Sequence, residues 1–320
     1  MRNDLLVTAI SLPLALSCGA DISVPQETGG EERRIALRSP AVTAASFDLL
    51  AFRREDGVLA TRESLAEGET SFSIIAGRDY NLYLFGNAPD GLLDGILYEG
   101  DLADTFLNLE DDEPTRPVMV GNANLTAGFY DSPIAFNLGK YLSKVTLGSV
   151  SVKWLDEYDN APTCTISKIA LVNAMGSIPL VGGPYSEGKW YNCGVIEQAL
   201  PEGVGRKILL SSPVIVTSSS AIPMNVSFFA MPNPLDDGSW GLPWSPRRTR
   251  LALELTIDGI PNWYPVDLPA MDCGCEYLIT ELVITGPGAT GPDEKIDRSK
   301  IELSIEVKPW ETETLSIEFV

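Results

Sequence analysis

Histidine, the side chain that most often acts as a general base or binds a metal, is absent from this sequence of 320 residues. Its absence also excludes Ser-His-Asp and Cys-His nucleophilic sites. Three short acidic runs, Glu110–Glu113, Asp156–Asp159 and Asp236–Asp237, could supply a glycosidase carboxylate pair or a calcium site. None has the spacing of a calcium loop, and each lies in a predicted turn. We therefore interpret them as solvated loops and expect no catalysis, no metal and no cofactor.

The cysteines are the second set of reactive side chains. If Cys18 carries a lipid, four remain: Cys164, Cys193, Cys273 and Cys275. An even number in an exported protein indicates disulfides, with three possible pairings. A bridge between Cys273 and Cys275 would close a very tight ring, so at least one longer bridge is more natural. A zinc site of four thiolates is the alternative, but the sequence has no Cys-x-x-Cys pair.

The N-terminus predicts export. Arg2 precedes an apolar run from Leu5 to Leu16, and small residues lead to Cys18. Such a run is typical of a secretory signal and is too short to cross the roughly 30 Å of a bilayer core. The cysteine is similar to a bacterial lipobox, so we expect residues 1–18 to be a lipoprotein signal with lipidated Cys18, and the protein to lie at the outer membrane and cell surface. An ordinary signal peptide that contains a cysteine is the alternative. Residues 19–32 are polar and Gly-rich, as in a flexible tether.

The charge of the chain limits its partners. Asp and Glu outnumber Lys and Arg by 44 to 23, which gives a formal net charge of −21. Such a surface repels nucleic acids and anionic lipids, so any attachment to a membrane must come from acyl chains. The simplest interpretation of the charge is that it keeps an exported protein soluble.

Aromatic and basic side chains give two further candidate sites. Trp240 and Trp244 lie in a turn-rich insert and could stack on sugar rings or a peptide, and burial under a sheet is the alternative. Arg34 and Arg38, with Arg33, follow the tether. Arginines in an extended, exposed segment suit a trypsin-like protease, although on these residues alone two solvated charges that help balance Glu31 and Glu32 are the better explanation.

Period-2 alternation between turn residues predicts strands along the whole chain after Arg33, with no long amphipathic helix. About seven short strands in each half favour an all-β fold of two sandwiches that meet near Gly139–Tyr141, with residues 33–139 in the N-terminal and 140–320 in the C-terminal sandwich. The predicted strands are Arg34–Arg38, Ser46–Phe52, Ser71–Ile75, Asp79–Gly86, Gly95–Tyr98, Arg116–Gly121, Ser132–Leu138, Lys144–Trp154, Thr163–Val172, Lys207–Thr217, Pro223–Met231, Thr249–Asp258, Asn262–Leu268, Tyr277–Gly286, Ile301–Val307 and Thr314–Val320. The acidic stretch Asp101–Glu113 is predicted to be a loop or a short helical turn.

The alternation continues to the C-terminus. It covers Glu302–Val307, is interrupted at Pro309, and resumes over Thr314–Val320. A terminal strand of this kind is ordinarily the closing edge of its own sheet. It could instead be given to a neighbouring molecule, where backbone hydrogen bonds supply affinity and alternate side chains fill pockets.

Several segments in a consistent order resemble the fimbrillin (type V pilin) family of Gram-negative bacteria. They are Cys18 with its tether, the aromatic strand Gly77–Asn87, the Met-Gly segment Pro117–Asn122, the stretch Ile134–Leu147, and Val307–Trp310. Together they span most of the chain. Within the stretch Ile134–Leu147, the chain departs from the family at two positions: Gly139 stands where the family usually has Arg, and Ser143 where it usually has Ala.

The resemblance implies two tandem transthyretin-like Greek-key β-sandwiches in a subunit of a surface fimbria. In that family an arginine-specific protease removes an N-terminal strand, here by a cut after Arg34 or Arg38. The groove then accepts a strand from the next subunit, here from Glu311–Val320. The candidate donor residues are Thr314, Leu315, Ile317 and Phe319. The implied partners are other fimbrial subunits, the outer membrane through the lipid, and a host or bacterial surface ligand, without nucleic acid. Stalk, tip and anchor roles stay open, and the alternative is a surface lipoprotein that binds glycan or peptide through Trp240 and Trp244.

Overall fold

A computed structural model describes residues 32–38, 44–65, 71–126, 134–155, 163–182, 185–196, 208–216, 220–297, 300–309 and 313–319. The prediction of an all-β fold is confirmed, since the described residues form twenty strands and only short helical turns. The strands are β1 Glu32–Arg38, β2 Phe47–Arg53, β3 Leu59–Leu65, β4 Ser71–Ile75, β5 Tyr80–Gly86, β6 Phe106–Asn108, β7 Met119–Leu125, β8 Ile134–Lys140, β9 Ser143–Val152, β10 Cys164–Val172, β11 Ala174–Met175, β12 Ser177–Pro179, β13 Trp190–Tyr191, β14 Ile208–Val216, β15 Ile222–Ala230, β16 Arg250–Ile257, β17 Ile260–Asp267, β18 Cys275–Ile284, β19 Ile301–Pro309 and β20 Glu313–Phe319. Helix α1 is Asp101–Asp104, and 3₁₀ turns cover Leu109–Asp111 and Tyr185–Glu187.

An eight-stranded sheet dominates the first half of the chain, in the order β3-β2-β5-β7-β8-β20-β1-β4. Its two ends approach each other, because the Ser73 amide of β4 donates to Oε1 of Glu63 of β3 at 2.9 Å. Buried apolar side chains of β2, β3, β4, β5, β7 and β8 form one cluster inside this curve. Strand β5 is buried on both of its faces: Leu82 and Leu84 lie in this cluster, whereas Tyr83 and Phe85 lie in a second buried cluster. Both faces of β5 are therefore covered, as its almost continuous apolar sequence requires.

Two four-stranded sheets form the second half, in the orders β14-β10-β16-β17 and β15-β9-β18-β19. Alternating side chains of β10 and β16 share one buried cluster with those of β9 and β18, which is the packing expected of a β-sandwich. All pairings are antiparallel except β9 with β18, which run parallel. The same cluster includes residues of the segment after β5, so the halves are joined by a continuous apolar core.

Short strands also fasten the halves together by backbone hydrogen bonds. Strand β6 of the first half pairs with β12 of the second, with Leu107 opposite Ile178. The Leu109 amide donates to the Gly176 carbonyl at 2.8 Å. The division of the chain into two domains at residues 139 and 140 stays a prediction, although β8 and β9 do lie on either side of it.

Most predicted strands are confirmed within two or three residues, and two differences are informative. Gly95–Tyr98 was expected to be a strand and is a turn that makes only an isolated bridge from Tyr98 to Val58. Strand β3 was missed, because its sequence Leu-Ala-Thr-Arg-Glu-Ser-Leu places Arg62 and Glu63 in the middle of an edge strand. Acidic and basic side chains are common on such edges, where they oppose aggregation. In the part of the chain that the structure describes, no helix is long and apolar enough to cross a membrane.

Candidate functional site: the adjacent terminal strands

The first and last described strands are neighbours in one sheet. Strand β20 lies between β1 and β8 and pairs antiparallel with both. Phe319 lies opposite Ile35 of β1, and Leu315 lies opposite Phe136 of β8. Residues 313–319 were predicted to belong to the C-terminal sandwich, whereas their backbone lies in the sheet of the first half. Period-2 alternation predicts a strand but carries no information about which strand pairs with it.

Two of the candidate donor residues take positions opposite apolar residues of β8. Thr314, Leu315 and Ile317 are paired in register with Asn137, Phe136 and Ile134. Phe136 is fully buried, and Ile134 is half-buried against the same cluster. Strand β20 therefore lies inside the sheet, next to a strand that contributes to the apolar core, and not at the edge of the sheet.

The candidate cleavage residues occupy different places on β1. Arg34 lies within the strand, opposite Ser73 of β4. Arg38 is the last residue of the strand, opposite Ser316 of β20. A protease needs an extended segment that is free of sheet pairing, and a strand end provides this more readily than a strand interior. Arg38 is thus the better placed of the two.

Two further predictions concern the lipid signal at the N-terminus and the disulfides. The signal peptide with Cys18 and nearly all of the tether lie outside the described residues. No disulfide joins Cys164, Cys193, Cys273 and Cys275 in the structure. Burial raises the pKa of the Cys164 thiol to about 11, so the thiolate that disulfide exchange requires is scarce at neutral pH.

Trp240 and Trp244 have different surroundings, although both are half-buried. The indole N–H of Trp244 donates to Oδ1 of Asn173 at 2.7 Å, and its ring meets Trp190 edge-on with centroids 5.6 Å apart. The ring of Trp240 lies over the guanidinium of Arg250, 3.6 Å from its Cζ to the ring centroid. Their role as a joint binding loop stays a prediction.

Beneath the tryptophans lies a buried charge cluster that the sequence did not reveal. Arg247 and Arg250 are 1% and 0% exposed and share the carboxylate of Asp293, which is 2% exposed. Arg250 also donates from Nε to Oδ1 of Asp267 at 2.6 Å. The cluster fixes the loop, since Arg247 donates to four of its carbonyl oxygens, at residues 239, 241, 243 and 245. Because Asp293 lies more than forty residues from both arginines in the sequence, no local pattern predicts this pairing.

The acidic run Glu110–Glu113 divides into solvated and buried positions. Glu110 accepts hydrogen bonds from Lys189 and Tyr191, and these bonds lower its pKa. Asp112 is 1% exposed, accepts a hydrogen bond from the Val118 amide at 2.8 Å, and has no protein partner for Oδ2. Burial raises the pKa of Asp112 to about 7. The interpretation of the run as a solvated loop is wrong for this residue.

No family model matches the sequence, and no protein with a curated description matches it. Solved structures do share its fold. A protein of Bacteroides eggerthii described provisionally as a cell adhesion protein superposes with a TM-score of 0.61 at 17% identity, over 88% of this chain and 97% of that one. The fimbrilin of Porphyromonas gingivalis gives 0.55 at 14% identity, over 86% and 96%. The tip fimbrial protein Mfa3 of the same organism, with a C-terminal truncation, gives 0.51 at 12% identity, over 88% and 100%. The resemblance inferred from the sequence is thereby confirmed at the level of the fold, which is that of the fimbrilins.

Proposed function

We propose that this chain is a structural, non-catalytic subunit of a bacterial surface fimbria and that it assembles by exchanging β20 between copies after proteolysis of β1. The observation that supports this proposal most strongly is the adjacency of β1 and β20 in one sheet. The shared fold with a fimbrilin and a tip fimbrial protein points to the same role.

In the uncleaved chain, pairing with β1 holds β20 in the sheet of its own molecule. Strand β20 has four register pairs with β1 and five with β8, so it is held on both edges by its own chain. A tethered strand also competes at an effective concentration on the order of millimolar, which exceeds that of any free neighbour. Intramolecular pairing therefore keeps the uncleaved molecule monomeric.

A cut after Arg38 separates all of β1 from the rest of the chain. Strand β20 then keeps only its pairing with β8, and the edges of β20 and β4 lose their hydrogen-bond partners. Unpaired edges over an apolar core favour the addition of another strand. Because each copy that releases β20 also receives one, the pairing with β8 is conserved along a growing filament. A cut after Arg34 would leave Ile35–Arg38, the residues that pair with β20, and should release it less well.

Mutation of the arginines tests the proposal. The mature full chain is incubated with an arginine-specific protease, and its size is followed by light scattering and electron microscopy. We expect filaments from the parent chain and from Arg54→Gln, a control at an exposed arginine outside β1. Arg38→Gln should delay assembly, and Arg34→Gln with Arg38→Gln should abolish it. Cleavage without any increase in size, or assembly of the doubly substituted chain at the parent rate, would contradict strand exchange.

We further propose that a lipid on Cys18 attaches the subunit to the outer membrane. A cysteine after a short apolar run in the sequence supports this assignment. Cells that express the chain with an alkyne analogue of palmitate should label the parent protein and leave Cys18→Ser unlabelled. Equal labelling of the two proteins would refute the assignment.

A further inference from the structure

A cleft of about 600 Å³ lies between the edge strands of the two sheets in the C-terminal half. Its walls are the end of β17, Pro265–Asp267, and the start of β19, Ile301–Leu303. Trp240, with the segment Lys295–Ile296, completes the lining. The volume lies within the range of small-molecule sites, and such sites combine an apolar floor with a few polar groups.

The aromatic wall of the cleft is held rigidly. Arg250, fully buried, covers one face of Trp240 with its guanidinium. Its Nη2 donates to the Ser239 carbonyl oxygen at 2.8 Å, so the arginine also fixes the backbone next to Trp240. A side chain that is fixed before binding loses little conformational freedom when a ligand arrives.

Charged groups form the rim. Asp267 is bound to Arg250 through Oδ1 while its side chain stays 34% exposed. Glu302 and Lys295 are exposed at the two sides of the cleft. The rim thus offers two hydrogen-bond acceptors and one donor around the apolar part of the lining, which includes Trp240, Val266 and Ile296.

The chemistry of these groups discriminates between ligand classes. Binding of a cation is disfavoured, because Trp240 already makes a cation–π contact with the guanidinium of Arg250 on one face of its ring. An acidic ligand would be repelled by Asp267 and Glu302 and by the net charge of −21. A peptide strand cannot pair with β17 here, because Pro265 has no N–H and Trp263 is already paired with Ala289. A neutral sugar ring has an apolar C–H face for Trp240 and hydroxyl groups for the rim.

We propose that this cleft binds a neutral glycan, stacked on Trp240 and hydrogen-bonded to Asp267, Glu302 and Lys295. The cleft does not depend on strand exchange, because none of its residues belongs to β1, β8 or β20. A subunit with this cleft would carry a ligand-binding function in addition to its role in the filament.

A printed array of neutral and sialylated oligosaccharides, probed with the mature full chain, tests the proposal directly. We expect binding to neutral glycans and at least about tenfold weaker binding to their sialylated counterparts. The neutral array members that bind are then titrated by fluorescence. Binding to no neutral glycan, or a preference for the sialylated forms, would overturn the assignment. Binding to extended peptides instead of glycans would also overturn it and would favour strand addition at β19.

Substitutions locate the site. Trp240→Ala should weaken neutral-glycan binding about tenfold or more, and Trp244→Ala should leave it unchanged. Since Trp240→Ala uncovers a buried arginine and risks misfolding, Glu302→Gln and Lys295→Ala provide a second test at exposed positions. Each should weaken binding about threefold. Glu306→Gln is the matched control, since Glu306 is an exposed carboxylate on the same strand outside the cleft. Equal affinities of Glu302→Gln, Lys295→Ala and Glu306→Gln would refute the assignment.

Discussion

The buried carboxyl of Asp112 should make the stability of the fold depend on pH. Its ordinary pKa is 3.8, and burial raises this to about 7 in the folded chain. The folded state therefore binds the proton more tightly than the unfolded state does. The stabilisation is complete below about pH 4 and is lost as pH rises towards 7. At about 1.4 kcal/mol for each pH unit between the two values, the loss is about 4 kcal/mol at most.

The substitution Asp112→Asn isolates this contribution. Asparagine keeps an oxygen for the Val118 amide but cannot ionise. In urea unfolding, the stability difference between Asp112→Asn and the parent chain should shift in favour of the variant by about 2–4 kcal/mol between pH 4 and pH 8. Any constant cost of the buried amide group cancels in this comparison. Asp111→Asn is the control, since Asp111 is exposed and should change stability by less than about 0.5 kcal/mol at either pH. A difference that stays constant from pH 4 to pH 8 would show that the Asp112 carboxyl does not ionise with a raised pKa in the folded chain.

Two further substitutions probe packing, both measured by thermal and urea unfolding. Asp293→Ala leaves two buried guanidinium groups without their shared carboxylate and should destabilise the protein by about 3–5 kcal/mol, whereas Asp236→Ala, at an exposed pair, should cost about 1 kcal/mol or less. Equal effects would contradict the buried cluster. Gly148→Ala places a Cβ 2.6 Å from a carbonyl oxygen of β18 and should cost about 1–3 kcal/mol, whereas Gly100→Ala has open space and should change stability by about 1 kcal/mol or less. A neutral effect at Gly148 would show that β9 and β18 are not packed so closely.

The sequence predicts the strands of this fold well, because the alternation of apolar residues is local. Ser71–Ile75 is predicted with its observed bounds, and Cys164–Val172 differs by one residue. The order of the strands in the sheets, in contrast, cannot be predicted from local alternation. Nothing in the alternation of Glu313–Phe319 shows that it pairs with β1 and β8, because pairing partners are set by the packing of the whole chain.

The candidate site shows the same division between local and long-range information. Arg34, Arg38 and the C-terminal strand are candidates from the sequence alone, and the structure places Arg38 opposite Ser316 of that strand and Arg34 opposite Ser73 of β4. Sequence reasoning did not find the arginine cluster around Asp293, because charged residues are usually exposed and these are buried only through mutual pairing. Trp240 and Trp244 were predicted to act as one loop, whereas Trp240 lines the cleft between β17 and β19 and Trp244 is not part of its lining.

Strand exchange requires that β20 be held by its own chain before cleavage and by a neighbouring copy afterwards. A cross-link between β20 and β8 measures this directly. Ala135 is exposed and lies opposite Ser316, and antiparallel partners of this kind are within reach of a disulfide. Ala135→Cys with Ser316→Cys, compared with each single substitution on a non-reducing gel, should give a cross-linked monomer before proteolysis. After cleavage by an arginine-specific protease and then oxidation, the same chain should give a ladder of covalent oligomers. A cleaved chain that still cross-links only within the monomer, or an uncleaved chain that never does, would contradict the account.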